Sequence, residues 1–297
     1  MKIAFMGTPK FAVPALKIIN ENFRIDTVYT QPPKKSKRGM KEVTSPVHEI
    51  SNELNLDVRT PKDLSNDLEF FKSKKFNLAV VAAYGQIIPD TFLKECQFIN
   101  IHASLLPKWR GAAPIQRSLM NKDKFTGISI MKIEKELDSG PVLLTKSLPI
   151  NIYSKHGDVE KKLSEIGSNL IIEAIQKINN DPDCEFKEQN HNLKSYAKKI
   201  TKEDEEIIWD IDAETVIAKI HALTPSPGSY FYNNSDKLKI FECKLSDKKS
   251  KKPGHVVIEN ESLFIACKDK YIEILEIQKP GKNRQKIKEF IKGYKFD

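Results

Sequence analysis

One apolar segment, NLAVVAA at residues 77–83, constrains the fold of this chain more than any other feature. A strand this apolar is buried on both faces, which is typical of a parallel sheet covered by helices. Further strand candidates lie at 2–7, 25–30, 98–102, 126–133 and 142–148, and helical spacing is found at 11–19 and 158–178. This alternation over residues 1–180 predicts an α/β domain with a mostly parallel sheet, whose ligands bind beyond the carboxyl ends of the strands.

The pattern changes after about residue 180. Residues 186–206 are polar and charged, which is typical of a linker. One helix candidate follows at 213–223, and short alternating segments lie at 237–243, 255–258, 263–266 and 271–277. We therefore predict an α/β domain at 1–185, a linker at 186–206 and a small β-barrel or sandwich at 207–297. Residues 279–295 carry seven Lys or Arg against one acid, a pattern typical of either a solvated helix or a binding surface.

The composition limits the class of protein. Lys and Arg number 49 against 40 Asp and Glu, a net charge of +9 that is compatible with a polyanionic partner. The chain has no GxGxxG, P-loop, GxSxG or HExxH motif, which argues against the cofactor and hydrolase chemistry those motifs support. The four cysteines have no CxxC spacing, and no apolar segment resembles a membrane span or signal peptide. We expect reduced thiols, no metal site and a cytoplasmic location.

Two polar residues end the predicted strand 98–102. Asn100 and His102 are two positions apart, so in an extended strand they point to the same face. Asp138 precedes a Gly-Pro turn further along the chain. Taken singly, His102 is compatible with a core histidine and Asp138 with a turn residue.

Together, these three side chains suit acyl-type transfer to an amine. The Asn amide and a protonated imidazole can donate to a developing oxyanion. The carboxylate can hold the imidazole and relay a proton. This chemistry needs no serine or cysteine nucleophile.

Motifs in order along nearly the whole chain resemble the formyltransferase family that uses 10-formyltetrahydrofolate. They are FMGTPxFA at 5–12, AYGQIIP at 83–89, NxHxSLLP at 100–107, WRGAAPI at 109–115, DSG at 138–140 and ALxPxPG at 222–228. The resemblance implies an α/β fold class in which a Rossmann-like formyltransferase domain is followed by a small OB-like β-barrel domain. Taken together, the six motifs are similar to those of the family members that formylate the α-amino group of methionine carried by initiator tRNA. This resemblance implies a tRNA partner and a folate co-substrate.

The resemblance also implies roles for individual residues. Asn100 and His102 would stabilise the oxyanion, and Asp138 would orient His102 and assist proton transfer. The implied folate-binding residues are Tyr84, Gln86, Ile88, Ser104, Leu105, Leu106 and Pro107. The implied tRNA-binding residues lie in a basic loop after the second strand and are Lys34, Lys35, Lys37, Arg38 and Lys41, with Arg38 at the position of the family's key arginine. No metal is implied.

Two departures affect the predicted tRNA contact. His221 stands where the family pattern has an arginine, and residues 42–44 give the basic loop a less basic end.

The alternatives are a formyltransferase acting on an amino sugar nucleotide or a purine-pathway ribonucleotide, and a folate- or RNA-binding protein without activity. A small acceptor would not need five cations in one loop together with a basic second domain. We expect a monomer.

Overall fold

The computed structural model of the protein describes residues 1–35 and 42–296. The chain forms two compact units, and each is assembled from three segments. The first unit consists of Met1–Gly111, Gly127–Leu148 and Lys161–Tyr196, and the second of Ala112–Thr126, Pro149–Glu160 and Ala197–Asp297. The units are thus interleaved along the chain, and the linear domain bounds 1–185, 186–206 and 207–297 stay a prediction.

The strands of the described residues are numbered in chain order. They are β1 (Ile3–Gly7), β2 (Ile25–Tyr29), β3 (Lys34–Lys35), β4 (Glu42–Val43), β5 (Asp57–Arg59), β6 (Leu78–Ala82), β7 (Gln97–His102), β8 (Arg110–Gly111), β9 (Phe125–Lys132), β10 (Val142–Pro149), β11 (Tyr196–Ala197), β12 (Ser229–Asn233), β13 (Asp236–Lys249), β14 (Val256–Glu259), β15 (Ser262–Ala266), β16 (Lys270–Gln278) and β17 (Gln285–Lys286).

The helices are numbered in the same way. They are α1 (Val13–Asn22), α2 (Pro46–Glu53), α3 (Leu68–Lys74), α4 (Asp90–Leu93), α5 (Pro114–Met120), α6 (His156–Asn180), α7 (Lys202–Glu205), α8 (Ala213–Ala222) and α9 (Ile287–Phe290). Short 3₁₀ turns occupy Lys10–Ala12, Leu64–Asp67 and His191–Leu193.

The first unit is built on a seven-stranded sheet of order β10-β9-β7-β6-β1-β2-β5. Its five strands from β7 to β5 pair in parallel, and β9 runs antiparallel to β7. β1 and β6 are buried along their whole length, as their continuous apolar character predicts. The chain goes from β1 to β2 on one side and returns to β6 on the other, so the carboxyl ends of β1 and β6 form a topological switch point, the usual place for ligands in sheets of this kind. The predicted Rossmann-like parallel sheet is confirmed.

Local sequence features explain how this sheet is covered. Helix α2 begins as predicted, with the Ser45 hydroxyl accepting the backbone N–H of His48 at 3.0 Å and Pro46 at the first helical position. The ring of Phe71 in α3 packs 4.8 Å from the rings of both Phe76 and Phe92. The three rings are buried in one hydrophobic cluster with residues of β1, β6 and β7, so they hold α3 against the sheet.

The second unit contains an antiparallel sheet of order β12-β13-β16-β15-β14, with β17 paired to β16. Alternate residues of these strands face a core that also takes the apolar face of α8. The short strands predicted for this region are therefore confirmed. Strand β12, which the sequence analysis missed, is also part of this sheet.

Two segments differ from their sequence interpretation. Residues 186–206 contain a 3₁₀ turn, β11 and α7, and Gln189 and Ala197 are buried. Residues 279–295 form β17 and the four-residue helix α9 instead of one solvated helix. The reason is that Ile287 and Phe290 belong to the core of the second unit and are about 95% buried.

His221, the departure from the family pattern, has a structural role within the second unit. Its Nδ1 lies 2.8 Å from the carbonyl oxygen of Ile152, and its Nε2 accepts the backbone N–H of Cys243 at 3.4 Å. Burial lowers the pKa of its imidazole. A neutral ring that bridges two backbone groups fits this site.

No helix of residues 1–35 or 42–296 is long and apolar enough to cross a membrane.

Candidate active site

Strand β7 brings Asn100 and His102 to the carboxyl edge of the first unit's sheet. His102 is the last residue of the strand and lies opposite Ser129 of β9. Asn100 is half-buried and His102 is 5% exposed. Because the two residues share one face of the strand, both side chains project to the same side of this edge.

The orientation of His102 is fixed by the loop that follows. Nε2 of the ring lies 2.9 Å from the carbonyl oxygen of Trp109. A carbonyl oxygen can only accept, so Nε2 carries the hydrogen of this bond. Nδ1 therefore points the other way, where the carboxylate of Asp138 lies 3.6 Å from it.

The position of Asp138 depends on its own backbone conformation and on a hydrogen bond from the loop 109–111. Its own φ is +47°, and its Oδ2 accepts the backbone N–H of Gly111 at 2.8 Å. Gly111 has a φ of +114°, which only glycine adopts without strain. The loop 109–111 thus holds His102 through a carbonyl oxygen and Asp138 through an N–H, and the predicted proximity of these two side chains is present in the structure.

The predicted folate loop 104–107 follows β7 directly. Ser104 is fully buried, and its hydroxyl donates to the carbonyl oxygen of Lys108 at 2.6 Å. The hydroxyl of Ser129 donates to the Ser104 carbonyl oxygen at 2.8 Å and accepts the Leu106 N–H at 3.1 Å. Leu105, Leu106 and Pro107 are half-buried. These contacts shape the loop and leave its apolar side chains at the edge of the site.

The second predicted folate loop follows β6, and its predicted side chains point inward. Tyr84 is 2% exposed and packs in the aromatic core. The Gln86 amide accepts the Leu64 N–H at 2.9 Å and donates to the Pro61 carbonyl oxygen at 3.0 Å. Ile88 is also buried, whereas Ile87, which the sequence analysis did not select, is 89% exposed. The loop therefore exposes Ile87 far more than any of the three selected side chains.

The basic loop is described only at its base. Strands β3 and β4 pair antiparallel, with Lys34 opposite Val43, and Lys34 is exposed. Lys35 lies opposite Glu42. Lys37, Arg38 and Lys41 lie outside the described residues.

Within the described ranges, no group of three or more His, Cys, Asp or Glu residues is arranged to hold a metal ion.

An amide, an imidazole and a carboxylate at the carboxyl edge of a Rossmann-like sheet are compatible with a group-transfer enzyme, and comparison with known proteins gives the family. The profile of the formyl transferase family matches residues 1–175, and that of the formyl transferase C-terminal domain matches residues 199–295. This chain belongs to the formyl transferase family.

Relatives and solved structures refine this assignment. The chain is 47% identical to "Methionyl-tRNA formyltransferase" of Pelagibacter ubique over 98% of this chain and 95% of that protein. It is 38% identical to the protein of the same name from Parvibaculum lavamentivorans, over 99% of this chain and 97% of that protein. It also shares its fold with the N-formyltransferase of Helicobacter canadensis solved with folinic acid and dTDP-3-aminofucose. That match has a TM-score of 0.71 and 21% identity and covers 94% of this chain and 99% of that one.

Proposed function

We propose that this protein transfers the formyl group of 10-formyltetrahydrofolate to the α-amino group of methionyl initiator tRNA, which gives N-formylmethionyl-tRNA for translation initiation. The observation that carries the proposal is the placement of His102 Nδ1 3.6 Å from the Asp138 carboxylate, with Asn100 on the same strand face. Two curated methionyl-tRNA formyltransferases that match nearly the full chain support the choice of acceptor.

The proposed mechanism assigns one task to each of the three side chains. The Asn100 amide and Nδ1–H of a protonated His102 donate hydrogen bonds to the formyl oxygen as it gains negative charge during attack by the amine. Asp138 takes up the proton that leaves the attacking nitrogen and returns it, through water, to N10 as the carbon–N10 bond breaks. The bond from the formyl carbon to the methionyl nitrogen forms and its bond to N10 of the folate breaks, so no covalent enzyme intermediate is needed. The Asn100 side chain is half-buried, on the same strand face as His102, and we place its amide against the substrate.

We place the folate between the loops that follow β6 and β7. These strands are parallel neighbours, so both loops leave the same edge of the sheet. Half-buried Leu105 and Leu106 and exposed Ile87 offer apolar surface for a planar ring, and the loop backbones offer its polar edges N–H and C=O groups. The seven predicted residues, Tyr84, Gln86, Ile88, Ser104, Leu105, Leu106 and Pro107, would form this wall through backbone and side-chain atoms together.

We place the tRNA on the basic loop and on the second unit's sheet, for which we propose an OB-like barrel. The net charge of +9 supports a polyanionic partner. Lys34, Lys35, Lys37 and Lys41 would attract phosphates, and Arg38 would make a planar contact to a base or a melted end pair. We also propose that the enzyme acts as a cytoplasmic monomer.

The test is formyl transfer from 10-formyltetrahydrofolate to three acceptors, each at low and raised salt. The acceptors are methionyl initiator tRNA, free methionine and an amino sugar nucleotide. We expect transfer to the charged tRNA alone, weakening as salt rises because phosphate contacts release counterions. Salt-insensitive transfer to the sugar nucleotide would refute the acceptor assignment. In the same assay, an Arg38→Ala variant should lose discrimination between initiator and elongator methionyl-tRNA, and unchanged discrimination would refute the role of Arg38.

A further inference from the structure

A buried glutamine in the segment predicted to be a linker uses its whole side-chain amide. Gln189 is 7% exposed. Its Oε1 accepts from Nε of Arg110 at 3.1 Å and from Nη2 of Arg110 at 2.7 Å. Its Nε2 donates to the backbone carbonyl oxygens of Asp138 at 2.9 Å and of Gly140 at 2.7 Å.

These four bonds allow only one orientation of the amide. A guanidinium can only donate, so the oxygen of Gln189 must face Arg110. The carbonyl oxygens of Asp138 and Gly140 can only accept, so the nitrogen must face the loop. Rotation of the amide by 180° would break all four bonds, and the buried guanidinium therefore fixes which group Gln189 presents to Asp138.

Arg110 is itself unusual for a buried cation. It is 1% exposed, and in the described parts of the chain no carboxylate lies within salt-bridge distance of it. Its remaining side-chain contact is Nη2 to Nδ1 of His191 at 3.3 Å. A buried charge held by neutral acceptors alone is costly. A use of the Gln189 orientation by the neighbouring site would account for this cost.

The network reaches Asp138 from two adjacent residues. Arg110 acts through Gln189 on the Asp138 backbone, while the N–H of Gly111 binds the Asp138 carboxylate at 2.8 Å. The Asp138 backbone, at a φ of +47°, is in a region that favours glycine, so it needs surrounding contacts to stay there. The backbone and the carboxylate of Asp138 are thus both fixed, and with them the 3.6 Å distance from the carboxylate to His102 Nδ1.

We propose that Gln189 is a positioning residue that sets the catalytic geometry of Asp138, with Arg110 fixing the orientation of its amide. The proposal rests on the proposed function insofar as Asp138 is a catalytic residue. Gln189 touches no reacting atom, and its effect passes through the backbone of the loop 138–140.

The decisive variant is Gln189→Glu, which keeps the acceptor oxygen of the side chain and removes its donor nitrogen. A carboxylate still accepts both Arg110 hydrogen bonds but has no hydrogen to donate to Asp138 and Gly140. We expect kcat for formyl transfer to fall about 10- to 100-fold, since small misplacements of reacting groups have effects of this size, with KM for folate and tRNA unchanged. The matched control is Asn77→Asp, the same change of amide to acid in an exposed residue at the amino end of β6, and it should leave kcat unchanged.

A double-mutant cycle distinguishes positioning from general damage. In an Asp138→Asn background, Gln189→Glu should lower kcat by less than twofold further, because the group that Gln189 positions has already lost its function. Full additivity, or a wild-type kcat in the single variant, would overturn the proposal. If Gln189→Glu does not fold, the pair Arg110→Met with Gln189→Met replaces the polar network by apolar side chains, and an unchanged kcat there would equally refute it.

These outcomes separate the two proposals. A wild-type enzyme that formylates only a sugar nucleotide would refute the proposed acceptor, yet the cycle can still be measured with that acceptor. A wild-type enzyme that formylates methionyl-tRNA, with Gln189→Glu equally active, would leave the function standing and refute the positioning role.

Discussion

Oδ2 of Asp138 lies 3.6 Å from Nδ1 of His102, beyond hydrogen-bond distance but within range of an ion pair with a protonated ring. The same oxygen is fixed by the N–H of Gly111, and the ring is fixed on its other side by the carbonyl oxygen of Trp109. Each partner therefore keeps its place without the other. Substrate can insert a polar atom beside the pair and bond to both, as expected for catalytic groups that tighten only when the substrate is bound.

Gly140→Ala should destabilise the Asp138 loop. A Cβ at residue 140 would lie 2.1 Å from the carbonyl oxygen of Lys132, a backbone atom of β9 that cannot move without disturbing the sheet. We expect the free energy of unfolding to fall by about 2–4 kcal/mol, together with a loss of formyl transfer. Denaturant unfolding measures the first and the transfer assay the second.

Gly293→Ala is the matched control for this change, because nothing lies within 4 Å of a Cβ built there. Its unfolding free energy should equal that of the wild type. Equal stabilities of Gly140→Ala and the wild type would show that the loop 138–140 is not packed as described.

His156 should make stability depend on pH below neutrality. Burial of its imidazole lowers its pKa from 6.5 to about 4. Between these two values the unfolded chain binds a proton that the folded protein does not, so the free energy of unfolding decreases as pH falls from 6.5 to 4, by up to about 3 kcal/mol. A His156→Gln variant should lose this component of the slope in urea unfolding measured at several pH values. An identical slope in the two proteins would contradict the burial of a neutral ring.

The ion pair between Arg117 and Asp204 should make the free energy of unfolding depend on pH in a lower range, below about pH 4. Two parallel bonds of 2.8 and 2.7 Å join the guanidinium and the carboxylate, and this interaction, foremost among the causes that favour the charged form, lowers the pKa of Asp204 from 3.8 to about 2. The stabilisation is present above pH 4 and is lost as pH falls toward 2, and we expect it to be about 1–2 kcal/mol for these partly exposed side chains.

The variant Arg117→Met should remove that stabilisation at pH 7, and Arg117→Lys should restore part of it, because lysine keeps the charge without the planar fork. Urea unfolding at pH 7 measures both. Equal stability of wild type and Arg117→Met would show that the pair contributes nothing.

The sequence could predict those parts of the fold and site that depend on local pattern. The period of two along β7 places Asn100 and His102 on one face whatever surrounds them, and the apolar character of β6 specifies a central strand. Asp138 could be grouped with them by the chemistry of the three side chains and by the family resemblance, but its geometry could not be predicted, because its φ of +47° and its bond to Gly111 arise from contacts distant in sequence.

The features that the sequence did not predict depend on long-range burial. Gln189 lies in a polar stretch, and nothing nearby distinguishes it from solvated neighbours, yet folding buries it against Arg110. Tyr84 and Gln86 lie in a family motif that suggests a ligand loop, but their side chains stabilise the core and the neighbouring loop. Arg110 lies in the family motif at 109–115, but that motif indicates neither its burial nor its contact with Gln189.

The most direct test of the account is the single-turnover rate of formyl transfer from 10-formyltetrahydrofolate to methionyl initiator tRNA, compared between wild type and Asp138→Asn. Asparagine keeps the size of the side chain and the acceptor for the Gly111 N–H but cannot take up a proton. We predict a rate lowered about 10²- to 10⁴-fold, the usual contribution of a positioned general base, with folate and tRNA binding retained. A variant that transfers formyl at the wild-type rate would contradict the assignment of Asp138, and with it the proposed catalytic role of the Asn100, His102 and Asp138 set.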